Sequence, residues 1–209
     1  QNMSANERSQ ATVQLAQTAL LAALCYIGFQ FLRIDIPLPG GKTAVHMGNA
    51  FCVLAALLLG GVKGGLAGAV GMTVADLTSG YASSAPRTFL MKFLIGLIVG
   101  AVAHQIGHLS EQNQSGKMLK WSLLGSLAGC AFNVIFDPIC SYLYKRFLLG
   151  NTEVVANLLA KWTALSTLIN AVVAILIAVL LYMALTPILR KSGLLAKVGA
   201  IRRGKAANS

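Results

Sequence analysis

The sequence predicts an all-α membrane protein, a bundle of six transmembrane helices with an outward-facing ligand pocket. Of its 209 residues, 56% are apolar and only 11% are charged, whereas a soluble domain carries about 25% charged residues. The apolar residues come in long runs, and a helix needs about 20 of them to cross a bilayer. We therefore predict one membrane domain over residues 1–189, followed by a basic cytoplasmic tail over residues 190–209.

The predicted helices are separated by turn residues. The six segments run over about 11–32, 45–60, 64–77, 87–106, 119–143 and 154–185. Segments two and three are short and rich in glycine, which points to a binding region in a transporter. A tight reversal at 61–63 joins them, and Pro187 is expected to end the sixth helix.

A long loop, RIDIPLPGGKTAV, separates the first two segments. Pro37 and Pro39 exclude a helix there, and Gly40 and Gly41 permit a turn before Lys42. A second loop, TSGYASSAPR, separates segments three and four, and its proline suits the first turn of the next helix.

An even number of helices places both termini on the same side of the membrane. With the termini inside, ten of the 17 Lys and Arg residues fall in the inner segments. Cytoplasmic segments carry an excess of Lys and Arg, so we predict cytoplasmic termini and a pocket that opens outward.

Polar residues of several segments then fall at one depth, near the outer leaflet. The predicted substrate-binding residues are His46, Asn49, Asp76, Tyr81, Lys92, Asn133, Asp137, Trp162 and Asn170. An ionisable side chain at the membrane centre costs about 2.5–3.5 kcal/mol, so we expect the charged members to face each other, water or a ligand. The alternative is a structural salt bridge of Lys92 with Asp76 or Asp137 and interhelical amide bonds.

The chemistry of this cluster favours a small polar heteroaromatic ligand. Donors and acceptors are mixed, and one lysine faces two aspartates, which argues against an anion such as pantothenate unless Arg87 at the rim supplies the charge. Tyr81 or Trp162 offers a ring for stacking, although interfacial anchoring is an alternative for both.

The sequence lacks the motifs that are typical of metal sites, phosphate-binding loops and common hydrolases. The four cysteines lie in apolar segments without CxxC spacing, and His104 and His108 share a helix face without a third ligand. We therefore predict no metal and no cofactor. The sequence contains no GxxxxGK[ST], GxSxG or HExxH motif.

The net charge of +11 is concentrated near the C-terminus, which favours contact with membrane lipid rather than nucleic acid.

Small residues recur at helix spacing. The glycines at 60, 64 and 68, at 96 and 100, and at 125 and 129 permit close approach of helices within the bundle. Ala19 and Ala23 share this spacing on helix one, which offers almost no polar residue to the predicted pocket. Helix one is therefore the better prediction for a partner surface.

At HMGNAF, GGVKGGLAGAVGMTVADLTSGY and APRTFLMKF, the chain resembles the substrate-binding (S) subunits of energy-coupling factor (ECF) vitamin transporters. It is most similar to the hydroxymethylpyrimidine/pyridoxine (HmpT-like) branch, with the pantothenate and riboflavin branches close by. The resemblance implies a transport subunit and not an enzyme, in the cell membrane of a Gram-positive bacterium. It implies a partner complex of a transmembrane scaffold (EcfT-like) and two ATPases.

The resemblance also assigns roles to residues. Ala19 and Ala23 would pack on the scaffold. The loop containing Pro37, Pro39, Gly40, Gly41 and Lys42 would gate the pocket, and the subunit would topple in the membrane to release its vitamin.

Three alternatives remain open at this point. The first is a carrier acting alone, in which Asp76 and Asp137 carry protons. The absence of a polar path through the inner halves argues against it. The others are an intramembrane enzyme using His46 near Asp76, and a purely structural membrane subunit.

Overall fold

Six α-helices and one β-hairpin make up the part of the chain that the computed structural model describes, residues 5–38 and 41–195. The elements are α1 (Ala5–Gln30), β1 (Arg33–Leu38), β2 (Gly41–His46), α2 (Gly48–Leu59), α3 (Gly61–Thr78), α4 (Ala85–Gly100), α5 (Ser115–Leu143) and α6 (Glu153–Lys191). Helix α4 continues as a π-helix over Ala101–Ile106, and α5 over Tyr144–Leu148. Short 3₁₀ turns lie at Ala82–Ser84 and Leu109–Glu111.

Four helical stretches are long and apolar enough to cross a membrane. They are Gln10–Gln30, Ala82–Ile106, Ser115–Leu148 and Glu153–Lys191. Helix α2 has 12 residues, which is about 18 Å at 1.5 Å per residue, and it is too short to span the apolar layer alone. By this criterion the described residues contain four candidate spans, and the six-span count and the orientation stay predictions.

Helix α2 lies at the centre of the bundle. All of its residues except Phe51 are buried, and it packs on α1, α3, α4 and α6. A helix that is apolar on every side is stable only when it is surrounded. The outer helices instead expose leucine, isoleucine and valine side chains, such as Leu20, Leu168 and Leu176, as a lipid-facing surface would.

Glycines allow α3 and α4 to touch backbone to backbone. A Cβ atom on Gly96 would collide with the backbone of Gly65, and one on Gly100 would collide with that of Gly61. Gly64 meets the backbone of α2 at Ala56 in the same way. The predicted packing role of the small residues at 64, 96 and 100 is thus seen directly in the structure.

The segment after α1 is a β-hairpin and not an irregular loop. Strand β1 pairs antiparallel with β2, with Arg33 opposite His46 and Pro37 opposite Lys42. The prolines exclude a helix, as predicted. They do not exclude this short two-stranded ladder, because proline is tolerated in an edge strand even though it has no backbone N–H. Pro39 and Gly40 lie outside the described residues.

Because the hairpin extends to His46, the second helix begins later than predicted. Residues 45 and 46 belong to β2 and α2 begins at Gly48, so the predicted boundary at 45 is wrong. The reversal between α2 and α3 lies at Gly60, whose φ of 81° is readily adopted by glycine, one residue before the predicted position.

The prediction that Pro187 ends the last helix is wrong, because α6 continues through it to Lys191. Proline removes one backbone hydrogen bond, but Leu185 and Leu189 pack on the apolar core on either side of it. Arg190 and Lys191 are therefore still helical, and residues 196–209 of the predicted basic tail lie outside the described residues.

The glycine contacts predict a clear stability difference between two alanine substitutions. Gly96→Ala inserts a methyl group into the α3–α4 contact, and such overpacking costs about 1–3 kcal/mol. The control is Gly116→Ala, where a Cβ atom meets nothing within 4 Å. Thermal unfolding in detergent should show a lower melting temperature for Gly96→Ala alone, and equal melting of the two variants would contradict close α3–α4 packing.

Candidate functional site

A cavity of about 90 Å³ lies where the hairpin meets the ends of the central helices. Its lining comes from α1 (Phe29), the hairpin (Lys42, Thr43, Ala44, His46), α2 (Asn49), α3 (Met72, Asp76), the α3–α4 connection (Tyr81, Ser84), α4 (Arg87, Thr88, Met91, Lys92), α5 and its π-helical end (Asn133, Asp137, Lys145), and α6 (Thr163, Ser166, Thr167, Asn170). Every helix of the bundle contributes at least one side chain.

Most of the predicted site residues converge on this cavity. Eight of the nine line it, namely His46, Asn49, Asp76, Tyr81, Lys92, Asn133, Asp137 and Asn170. Trp162 is half-buried and is not part of the lining. Of the predicted gating residues, Lys42 lines the cavity, while Pro37 and Gly41 lie on the hairpin strands.

An ion pair joins three helices on one side of the cavity. Arg87 on α4 pairs with Asp137 on α5, and Thr167 on α6 donates a hydrogen bond of 3.1 Å from Oγ1 to Oδ2 of the same carboxylate. Asp137 is therefore satisfied by Arg87, and the predicted alternative of a salt bridge between Lys92 and Asp137 is not formed.

Asn170 fixes the hairpin to α6. Its Nδ2 donates to the carbonyl oxygen of Ala44 at 3.0 Å, and its Oδ1 accepts from the backbone N–H of His46 at 2.8 Å. One turn earlier, the hydroxyls of Ser166 and Thr43 lie 2.8 Å apart. The side-chain amide of Asn170 is thus occupied by the backbone of β2.

The other edge of the hairpin is held by the connection between α3 and α4. Lys42 Nζ donates to the carbonyl oxygen of Ser79 at 3.1 Å and lies 4.2 Å from the centroid of the Tyr81 ring. The Tyr81 hydroxyl donates to Asp35 at 2.9 Å. Burial and the neighbouring Asp35 carboxylate raise the pKa of Tyr81, so its hydroxyl keeps the proton that it donates.

Aromatic rings form one wall. The centroids of Phe29 and His46 lie 4.5 Å apart, and Tyr81 meets Phe29 edge-on at 5.8 Å. His46 ends β2, and burial, together with the charges of Lys92 and Arg33, lowers its pKa to about 3. Its ring is therefore neutral at physiological pH, and the wall offers flat, uncharged surfaces.

Several polar atoms around the cavity have no partner among the described residues. They are His46 Nδ1, Asn49 Oδ1, Asp76 Oδ2, Arg87 Nε and Asn133 Oδ1. An unsatisfied buried polar group costs about 1–3 kcal/mol, and such groups are rare in folded proteins. Half of the ten such atoms among the described residues belong to the lining of this one cavity, which is consistent with a polar ligand there.

Some lining residues carry no strong signal in the sequence. Phe29 belongs to α1, which the sequence does not link to the pocket, and only the fold brings its ring beside His46. Thr163 and Thr167 precede Asn170 by about two turns and one turn on α6. This helical spacing is a signal that identifies them once Asn170 is chosen.

Comparison with solved structures supports the helical architecture. The chain is similar to a structure described as the S-component for biotin from an ECF-type ABC transporter, with a TM-score of 0.55 and 18% identity. The match covers 86% of this chain and 94% of that one. At this identity the likeness shows the fold alone.

Comparison with curated sequences gives a partial relative. An uncharacterized protein of Pyrococcus woesei is 36% identical over 69 residues, which is 33% of this chain. The matched region spans 46% of that relative's own length. This relative therefore supplies no function.

A family model supplies the assignment. The model described as ECF-type riboflavin transporter, S component, matches residues 9–187, which is most of the chain. The chain therefore belongs to the family of ECF-type transporter S components.

Proposed function

We propose that this chain is the substrate-capture subunit of an ECF-type vitamin importer, and that it binds a small water-soluble heteroaromatic vitamin or precursor. Hydroxymethylpyrimidine and pyridoxine are the favoured substrates. The observation that carries the proposal is the group of five unsatisfied polar atoms around a cavity with an aromatic wall. Three of these atoms are carbonyl or carboxylate oxygens, so they suit a ligand that donates hydrogen bonds from amino or hydroxyl groups.

The size of the cavity supports a small ring. Its volume of about 90 Å³ is below the roughly 300 Å³ at which drug-sized ligand pockets begin. Riboflavin, with three fused rings, requires a larger opening of the hairpin than a single ring does. Pantothenate has no ring for the aromatic wall. Both stay alternatives that a binding experiment decides.

A carrier acting alone is supported less well. The buried hydroxyls of Ser122, Ser126 and Thr186, away from the cavity, each donate to a carbonyl of their own helix. They therefore form no polar route through the described part of the bundle, and alternating access needs a route on both sides. The sequence also has no phosphate-binding loop, and under this proposal uptake against a gradient draws its energy from partner ATPases rather than from an ion gradient.

The scaffold partner is proposed to bind on α1. Ala19 and Ala23 are exposed in the described structure, and the neighbouring Leu20 is 64% exposed. Beside them lies an apolar groove of about 230 Å³ between α1, α2 and the end of α6, lined almost entirely by leucines. Small exposed residues at i, i+4 permit a partner helix to approach closely.

The vitamin can be identified by binding to the purified chain in detergent. A calorimetric panel contains hydroxymethylpyrimidine, pyridoxine, riboflavin and pantothenate. We expect saturable binding of one single-ring vitamin, weakened about tenfold or more by Asp76→Ala or Asn133→Ala, because each removes a buried hydrogen-bond acceptor. Asn157→Ala, at an exposed position of α6, is the matched control. If no vitamin binds, the capture function is wrong.

The hairpin is proposed to act as the gate, and Asn170 allows a test. Asn170→Ala removes both side-chain bonds to β2 and should increase hydrogen–deuterium exchange of residues 41–46 and speed vitamin dissociation. Asn133→Ala should weaken vitamin binding without changing hairpin exchange in the free protein. If hairpin exchange is the same in both variants, Asn170 does not hold the gate.

Assembly can be tested separately from capture. Ala19→Trp and Ala23→Trp should abolish co-purification with a co-expressed ECF scaffold and its two ATPases, because the bulky ring prevents close helix approach, while vitamin binding is retained. Leu176→Trp, on a lipid-facing position of α6 that is 60% exposed, should leave assembly intact. Assembly of the Ala19 and Ala23 variants would place the partner surface elsewhere.

A further inference from the structure

Six charged side chains of the described residues line the cavity, and two of them form an ion pair with each other. They are Lys42, Arg87, Lys92, Lys145, Asp76 and Asp137. Arg87 and Asp137 neutralise each other. Lys42 is bound to the Ser79 carbonyl and covers the Tyr81 ring. The charges left to meet a ligand inside the cavity are Lys92 and Asp76, with the half-buried Lys145 also on the lining.

Lys92 and Asp76 are both deeply buried and do not pair with each other. Lys92 is 7% exposed and Asp76 is 3% exposed. Of the charged residues on the lining, Arg87 and Asp137 form an ion pair with each other. Thr88 hydrogen-bonds to the Asp76 carboxyl, and its Oδ2 remains without a partner. A buried charge is stable when it is paired or strongly hydrogen-bonded, so the Asp76 carboxylate and the Lys92 ammonium are the groups on this lining that a ligand of matching charge would stabilise most.

The two side chains carry opposite charges and lie on adjacent helices. Lys92 on α4 offers three donors to an anionic oxygen, while Asp76 on α3 offers an acceptor to a protonated nitrogen. Both side chains line the same cavity and do not form an ion pair with each other, so one ligand in the cavity can contact both. The aromatic wall formed by Phe29 and His46 also suits a flat ring.

We propose that the cavity binds its substrate as an amphoteric heteroaromatic ring, whose deprotonated ring hydroxyl pairs with Lys92 and whose protonated ring nitrogen pairs with Asp76. This inference rests on the proposed function, because it names the substrate class of the same site. A 3-hydroxypyridine, the ring of pyridoxine, has both groups. Its proton moves from the hydroxyl to the nitrogen within the ligand, so the bound ligand has no net charge and no outside proton acceptor is required.

The proposal separates the vitamins that the proposed function allows. Hydroxymethylpyrimidine has ring nitrogens but no acidic ring hydroxyl, so it leaves Lys92 unpaired. Pantothenate has a carboxylate for Lys92 but no basic nitrogen for Asp76. Pyridoxine should therefore bind more tightly than either.

The charge state of bound pyridoxine can be observed directly. The neutral and zwitterionic forms of a 3-hydroxypyridine absorb at different near-ultraviolet wavelengths, so difference absorbance of the full chain in detergent, titrated with pyridoxine, reports which form is bound. We expect the zwitterion. This measurement needs no variant, and pyridoxine bound in its neutral form would overturn the proposal.

Variants test the two residues separately. Lys92→Met and Asp76→Asn should each weaken pyridoxine binding roughly tenfold to hundredfold, as expected for loss of a hydrogen bond between charged groups, and should shift any bound pyridoxine toward its neutral form. Lys92→Arg keeps the charge and should keep the zwitterion. Lys161→Met, at an exposed position of α6, is the matched control and should bind as the unmodified chain does.

A pyridoxine analogue without the ring hydroxyl completes the test. It should bind weakly and lose no further affinity in Lys92→Met, because the group that meets Lys92 is already gone. Tighter binding of hydroxymethylpyrimidine than of pyridoxine, or unchanged pyridoxine binding in Lys92→Met, overturns this inference and leaves the capture function standing. Failure of every vitamin to bind overturns the capture function itself.

Discussion

The ion pair between Arg87 and Asp137 is the interaction on which the site depends. It joins α4 to α5, and Thr167 extends it to α6, so three helices are held at one level around the cavity. Removing one partner of a buried ion pair costs about 3–5 kcal/mol, because the other charge stays buried and unpaired. Arg87 also neutralises the negative charge of Asp137 in this pair. Asp76 is then the aspartate of the lining that remains for a ligand, with Lys92 and the half-buried Lys145 as basic groups on the same lining.

The hairpin completes the cavity because α6 presents side-chain hydrogen-bonding groups to it. A two-stranded hairpin alone is marginally stable in water. Here the Asn170 amide bonds the backbone of β2 on both sides of residue 45, and Lys42 reaches the Ser79 carbonyl on the opposite edge. The strands are therefore stabilised by the same helical elements that line the cavity.

Helical periodicity in the sequence predicts much of the site, because polar side chains in apolar helices are costly wherever they lie. This reasoning brings Asp76, Lys92 and Asn133 to one level, and the structure places them around one cavity. It does not predict the hairpin, whose pairing depends on a residue more than 120 positions away, Asn170. Nor does it predict that α6 passes through Pro187, since packing on both sides of the proline outweighs its local preference.

The two sides of the cavity are built from different interactions, and this difference suits a capture subunit. On the helical side, glycines bring α3 and α4 into backbone contact, which leaves little room for movement. The hairpin side is held by a few side-chain hydrogen bonds, each worth about 0.5–1.5 kcal/mol net. Under the proposed function, the hairpin opens while the bundle stays folded, and binding then needs no external energy. Under the proposed function, only release to the cytoplasm requires the ATPases.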